Sequence, residues 1–157
     1  VKKRIALIST GGTIEKTYDE LSGVLANKVS VLDVMLASLE LRGVEIQRIA
    51  LMNKDSLEMV RVAKDHDGVI VAHGTDRLAI SGERICAVAG TPATPIVLTG
   101  AMRPYELRAT DALQNLTEAL LAVQILPPGV YVVMHDQVLQ FPGVTKDRSA
   151  GTFVKGA

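Results

Sequence analysis

Reactive side chains in this chain cluster beside glycine in two places. The first is STGGTIEKTY, residues 9–18, where Thr10 and Thr13 flank Gly11 and Gly12 and Tyr18 follows five positions after Thr13. The second is HGTDRLAISG, residues 73–82, where Thr75 follows Gly74 and is followed directly by the carboxylate of Asp76. A third stretch, PGVTKDR, carries Lys146. A threonine hydroxyl is a weak nucleophile at neutral pH and needs a base. Lys146 can serve if burial strips its proton. Tyr18, on the same loop as Thr13, is the other candidate. The glycines leave room for a substrate and expose backbone N–H groups to an oxyanion.

Two other readings compete. A phosphate loop requires G-x-x-x-x-G-K-[ST], or G-x-G-x-x-G opening a helix. Neither is present, and Glu15, Asp19 and Glu20 follow Thr13 where a phosphate would need cations. A plain tight turn explains Gly-Gly after a strand, with Thr13 as a cap. Thr75 and Asp76 after a second strand favour a nucleophile over the turn, because two strand ends then offer hydroxyls to one crevice. The same plain alternatives stand for a solvated Lys146, an exposed loop Tyr18 and a helix-capping Ser56. His73 reads as structural. His66, His73 and His135 show no metal-ligand spacing, so no metal and no cofactor is expected. Cys86 sits among apolar residues and reads as core.

The elements that must hold these residues alternate. Apolar runs predict strands over Arg4–Ser9, Glu45–Leu51, Asp67–Ala72, Pro95–Thr99 and Val130–Met134. Ser30-Val-Leu-Asp33 has capping-box spacing and opens a helix running toward Gly43. Ser81–Val88 predicts a helix ended near Gly90, and Asp111–Gln124 another. This is the α/β, doubly wound, mostly parallel pattern with helices on both faces, of flavodoxin or Rossmann type. Ligands in such sheets bind beyond the carboxyl ends of the strands. The loops to watch are therefore Thr10–Thr13, Lys54–Ser56, His73–Asp76 and Gly100–Arg103.

A chain of 157 residues is most simply a single domain, 1–157. Hydrophobic residues are 48% but aromatics only 3%, so aliphatic side chains must build the core. Seventeen basic residues balance seventeen acidic ones, which gives no long-range pull toward nucleic acid or an anionic membrane. No apolar run reaches the ~18 residues of a membrane span, and the start shows no long apolar signal segment. The single cysteine excludes an internal disulfide and fits a cytoplasmic location.

TGGTIE, AHGTDRLAISG, LTGAMRPYELRATDALQNLTEAL and VTKDR together resemble the bacterial-type L-asparaginase/glutaminase family, over Arg4 to about Thr152. The chain is most similar to short, single-domain bacterial members. The resemblance implies a fold equivalent to the N-terminal domain of two-domain asparaginases. It implies hydrolysis of the side-chain amide of L-asparagine to L-aspartate and ammonia. Thr13 is then the attacking hydroxyl and Tyr18 its partner on a mobile loop. Thr75, Asp76 and Lys146 form the second catalytic cluster. Ser56 receives the substrate α-carboxylate and Asp76 the α-ammonium, with Asp55, Gly74 and Gly12 completing the substrate-binding set.

Three departures bear on substrate. The family's second domain is absent, which predicts a homo-oligomer, dimer or tetramer, to close the site. Arg77 stands where the family usually has Thr, and Leu57 where many relatives are polar. Met59-Val60 runs on with about a helix less than relatives have, and parallel strands need a connection of a dozen or more residues. That shortfall predicts residues missing between 59 and 60. The alternatives are an amidohydrolase preferring glutamine or another amide, and a non-catalytic amino-acid-binding module.

Overall fold

Short aliphatic runs buried on both sides make the centre of this molecule. Val69, Ile70, Val71 and Ala72 are wholly inaccessible to solvent, as are Ile96, Val97 and Leu98. Each such Val, Ile or Leu contributes ~1.5–3 kcal/mol by leaving water. The structure is a computed structural model and describes residues 1–19, 21–26, 30–51 and 55–156. Glu20, Lys54 and Ala157, which fall within the predicted loops and domain, lie outside the described residues.

The main sheet has six strands in the order β4-β1-β5-β6-β7-β8. These are β1 Lys3–Ser9, β4 Val44–Ala50, β5 Gly68–Ala72, β6 Pro95–Thr99, β7 Gly129–Met134 and β8 Gln137–Gln140. The first five are parallel and β8 is an antiparallel edge. Alternate residues feed two cores. Ile5, Leu7, Ile70, Val97 and Tyr131 pack with α1 Val31–Ala37 and α4 Ala112–Ile125. Ala6, Ile8, Val69, Val71 and Leu98 pack with α2 Ser56–Lys64 and α3 Thr75–Ala89. This is the expected doubly wound α/β architecture. Two hairpins complete it: β2 Thr17–Asp19 with β3 Val24–Ala26, and β9 Val144–Asp147 with β10 Thr152–Lys155.

Three sequence expectations change. The crossover helix between β4 and β5 is longer than Val60–Lys64: α2 begins at Ser56, behind the Asp55 carboxylate, which accepts from the Leu57 N–H at 2.9 Å. The capping box at Ser30 does not form, because Arg48 takes both groups: it donates to Ser30 Oγ at 2.7 Å and to Asp33 Oδ1 at 2.8 Å. Helix α1 also stops at Ala37, where Ser38 Oγ donates back to the Met35 carbonyl. Finally, α3 starts at Thr75 rather than Ser81, which brings the HGTD motif onto the helix itself.

Candidate active site

The register of the sheet brings the sequence motifs together. Ser9 of β1 pairs with Ala72 of β5, and Ala72 with Thr99 of β6, so the three following loops leave the sheet side by side. After β1 the chain passes to α1 on one face, and after β5 to α3 on the other. The loops diverge there and open a crevice at the switch point. Gly12 and Gly74 meet across it. A Cβ on Gly12 would stand 2.6 Å from both the Cα and the N of Gly74. Gly12 also has φ 99°, a region that side chains resist. Glycine at position 12 is what lets the two loops touch; a Cβ on Gly74 would stand at an ordinary 3.6 Å from the Gly12 Cα.

A cavity of about 220 Å³ results, lined by Gly12, Thr13, Lys16, Gly74, Thr75, Asp76 and Arg77. The two threonines flanking the glycine pair differ. Thr10 Oγ1 donates to the Ala72 carbonyl at 2.8 Å and stitches β1 to β5. Thr13 opens a single 3-10 turn, Thr13–Glu15, and lines the cavity. Glu15 folds back to accept from the Gly11 N–H at 2.8 Å, which fixes the loop's approach.

Opposite Thr13, Lys146 Nζ on β9 donates to Thr75 Oγ1 at 2.9 Å and to Asp76 Oδ1 at 2.8 Å. Thr75 is buried and the Lys146 side chain is 16% exposed. Arg148 Nη1 adds a contact to the same Asp76 oxygen at 3.2 Å. Lys146, by hydrogen bond and then by charge, and after it Arg148 hold the Asp76 carboxyl below its ordinary range. Gly74 caps α3 without a side-chain hydrogen bond, and the first turn of the helix, Thr75 to Arg77, lines the cavity.

Helix α3 also places Lys146. Glu83 Oε1 accepts from the N–H groups of Gly143 and Val144, at the start of β9. Gly82 lies against the ring of Phe141, where a Cβ would come within 2.1 Å. One helix thus carries Thr75 and Asp76 at its first turn and grips, two turns on, the hairpin that bears Lys146.

His73 is fully buried and serves this scaffold. Its Nδ1 lies 2.8 Å from the Gly74 carbonyl, which can only accept, so Nδ1 donates, and Ser81 Oγ lies 2.8 Å from Nε2. Gly100 packs beneath, where a Cβ would meet the His73 carbonyl at 2.4 Å and the Thr75 methyl at 3.2 Å. Asn115 Nδ2 holds the Gly100 carbonyl at 2.9 Å. Asp111 accepts from the Met102 and Arg103 N–H groups and lies 2.6 Å from His135 Nε2. Arg103 shapes its own loop, its Nε donating to the Ala109 carbonyl. Burial drives the Cys86 thiol up, which leaves it unsuited to nucleophilic work.

Of the residues named from sequence, Gly12, Thr13, Gly74, Thr75 and Asp76 line one cavity, and Lys146 is bonded into it. Tyr18, on β2 and 55% exposed, does not line the cavity. Nor do Asp55 and Ser56, which cap and open α2. Lys16, Arg148, Glu83 and Asn115 are site residues that the motifs do not single out. Only Arg148 leaves a signal in the sequence, its place two residues after Lys146 at the turn that follows β9.

Residues 4–153 match the family model described as Asparaginase, N-terminal, and the chain belongs to this family. An L-asparaginase of Thermococcus kodakarensis is 30% identical over 94% of this chain and 49% of its own length. A glutamyl-tRNA(Gln) amidotransferase component from Methanobrevibacter smithii is 32% identical over 85% of this chain and 34% of its own. The solved thermostable L-asparaginase of Thermococcus kodakarensis superposes with a TM-score of 0.83 at 28% identity, covering 97% of this chain and 51% of that one. The chain therefore spans about half the length of these asparaginases, or less for the amidotransferase component.

Proposed function

We propose that this chain is an amidohydrolase that cleaves a small side-chain amide, with L-asparagine giving L-aspartate and ammonia as the reference reaction. The observation that carries the reading is the Lys146–Thr75–Asp76 cluster facing Thr13 across one cavity. The Thr13 hydroxyl attacks the amide carbon. Its proton passes to the departing nitrogen, by way of Thr75 and Lys146, as the C–N bond breaks and ammonia leaves. Water then splits the threonine ester, restoring the hydroxyl and releasing a carboxylic acid. For Lys146 to accept a proton its amine must be neutral at that moment, so the rate should rise with pH. In this reading the first-turn N–H groups of α3 stabilise the oxyanion, where one such donor is typically worth ~3–4 kcal/mol.

Tyr18 and Ser56 enter this reading only if loop closure brings them to substrate. The reading also includes a cytoplasmic setting and a homo-oligomer that covers the exposed side of Asp76 and Arg77. Among the described residues no helix is long and apolar enough to cross a membrane. Ammonia release from L-asparagine and L-glutamine, followed across pH with purified protein, tests the reading. Release with an alkaline-rising rate is expected. Binding of aspartate with no ammonia on long incubation would favour an amino-acid-binding module instead.

A further inference from the structure

Arg48 sits where the alternation of β4 calls for an aliphatic side chain. It follows Val44 and Ile46 on the face that packs toward α1. Its guanidinium addresses three groups with three nitrogens. Nη1 donates to Ser9 Oγ at 2.5 Å, Nη2 to Ser30 Oγ at 2.7 Å and Nε to Asp33 Oδ1 at 2.8 Å. Ser9 ends β1, four residues before Thr13, while Ser30 and Asp33 stand at the start of α1. One side chain therefore joins both ends of the segment 10–29, which carries Thr13.

Two routes lead from this bridge to the Thr13 hydroxyl. Along the chain, Ser9 is followed by Thr10, whose N–H and Oγ1 both donate to the Ala72 carbonyl, and by Gly11, whose N–H donates to Glu15. The entry to the Thr13 turn is thus held by β5 on one side and by Arg48 on the other. Through space, Ile14 is fully buried in one core with Val31, Leu32 and Met35 of α1. A shift of α1 would move the floor beneath Thr13. The ion pair with Asp33 adds little stability, because the Arg48 side chain is 26% exposed and that of Asp33 62%. What it supplies is direction: a planar guanidinium fixes several partners at set angles, which an ammonium on a flexible stem does not.

Resting on the amidohydrolase reading above, we infer that Arg48 is a positioning residue for Thr13. It sets where the hydroxyl stands relative to the amide carbon and takes no part in the proton transfers. Misplacing a reacting group by about 1 Å costs on the order of 10²-fold in rate. The loss falls on kcat, because Thr75, Asp76 and Lys146 stand on α3 and β9, outside the bridge.

The experiment measures kcat, KM and the pH profile of ammonia release from L-asparagine for the unmodified protein, R48M, R48K, S30A and the double variant R48M/S30A. R48M is expected to lose kcat by about 10–100-fold while KM stays within about threefold and the alkaline rise keeps its pH range. R48K should recover little of the loss, since one ammonium does not span both serines. S30A should lower kcat several-fold by itself and no further in R48M, the non-additivity of two groups that share one bond. R48K and S30A carry the test alone if R48M does not fold. A kcat loss under about twofold in every variant, a shifted pH range, or an S30A penalty undiminished in R48M overturns the inference. Hydrogen exchange read by mass spectrometry on the same preparations should show residues 10–16 exchanging faster in R48M, with β5 and β6 unchanged. If the unmodified protein releases no ammonia, the amidohydrolase reading fails. The exchange measurement then still decides whether Arg48 holds the Thr13 turn: faster exchange confined to residues 10–16 supports it, and unchanged exchange there refutes it.

Discussion

Thr13, Thr75 and Thr99 show how one residue type takes three roles at neighbouring strand ends. Thr13 faces the cavity, Thr75 is held by Lys146, and Thr99 is fully buried with no hydrogen-bond partner for its hydroxyl among the described residues. An unsatisfied buried hydroxyl costs ~1–3 kcal/mol. Thr99→Val should therefore raise the melting temperature by ~2–4 °C per kcal/mol recovered, read by calorimetry. Lys146→Met removes the only amine within bonding distance of Thr75 among the described residues. It should lower kcat by about 10²–10⁴-fold, the usual worth of a general base, and flatten the alkaline rise of the rate. Asp76, held low by Lys146 and Arg148, stays ionised through the ordinary carboxylate range, so no loss of activity near pH 4–5 should trace to it. Thr13 and Thr75 are legible from sequence because each sits beside glycine at a strand end. Thr99 is not, since no local pattern reveals whether a buried hydroxyl finds a partner.

At the scale of elements, α3 sets the distance between the HGTD turn and the lysine. Gly82→Ala drives a methyl into the Phe141 ring, and overpacking of this kind costs ~1–3 kcal/mol. Activity should fall further than stability does, because the hairpin carrying Lys146 is displaced; denaturation midpoints and kcat measured on one preparation separate the two. Apolar spacing alone places the start of α3 six residues late. Thr75 and Asp76 look like loop residues because they carry chemistry, yet they form the first helical turn, where Asp complements the dipole. From sequence, Val60–Lys64 looks too short for a crossover helix. Helix α2 starts earlier, at Ser56 behind the Asp55 cap, and runs nine residues. Both differences come from caps, which depend on local backbone geometry more than on apolar period.

For the whole molecule, the aliphatic alternation of the five parallel strands predicts a doubly wound sheet, and the two cores bear that out. The loop after β6 depends on longer-range contacts that no spacing reveals: Asp111 binds Met102, Arg103, Asn115 and His135 at once. Burial opposes ionisation of Asp111, but the Met102 N–H, His135 and the Arg103 N–H outweigh it and lower its pKa. A carboxyl with a lowered folded pKa adds stability above its unfolded value of ~3.9 and loses it as pH falls through the folded one. Acid unfolding should therefore steepen below about pH 4, and Asp111→Asn should remove that share. The central claim is that Thr13 attacks the amide opposite the Lys146–Thr75–Asp76 cluster. Rapid quench of a turning-over sample, followed by peptide mass mapping, tests it most directly. An acyl ester on the peptide containing Thr13, absent from Thr13→Ala along with ammonia release, is the predicted result. An ester on another residue, or near-normal turnover by Thr13→Ala, would contradict it.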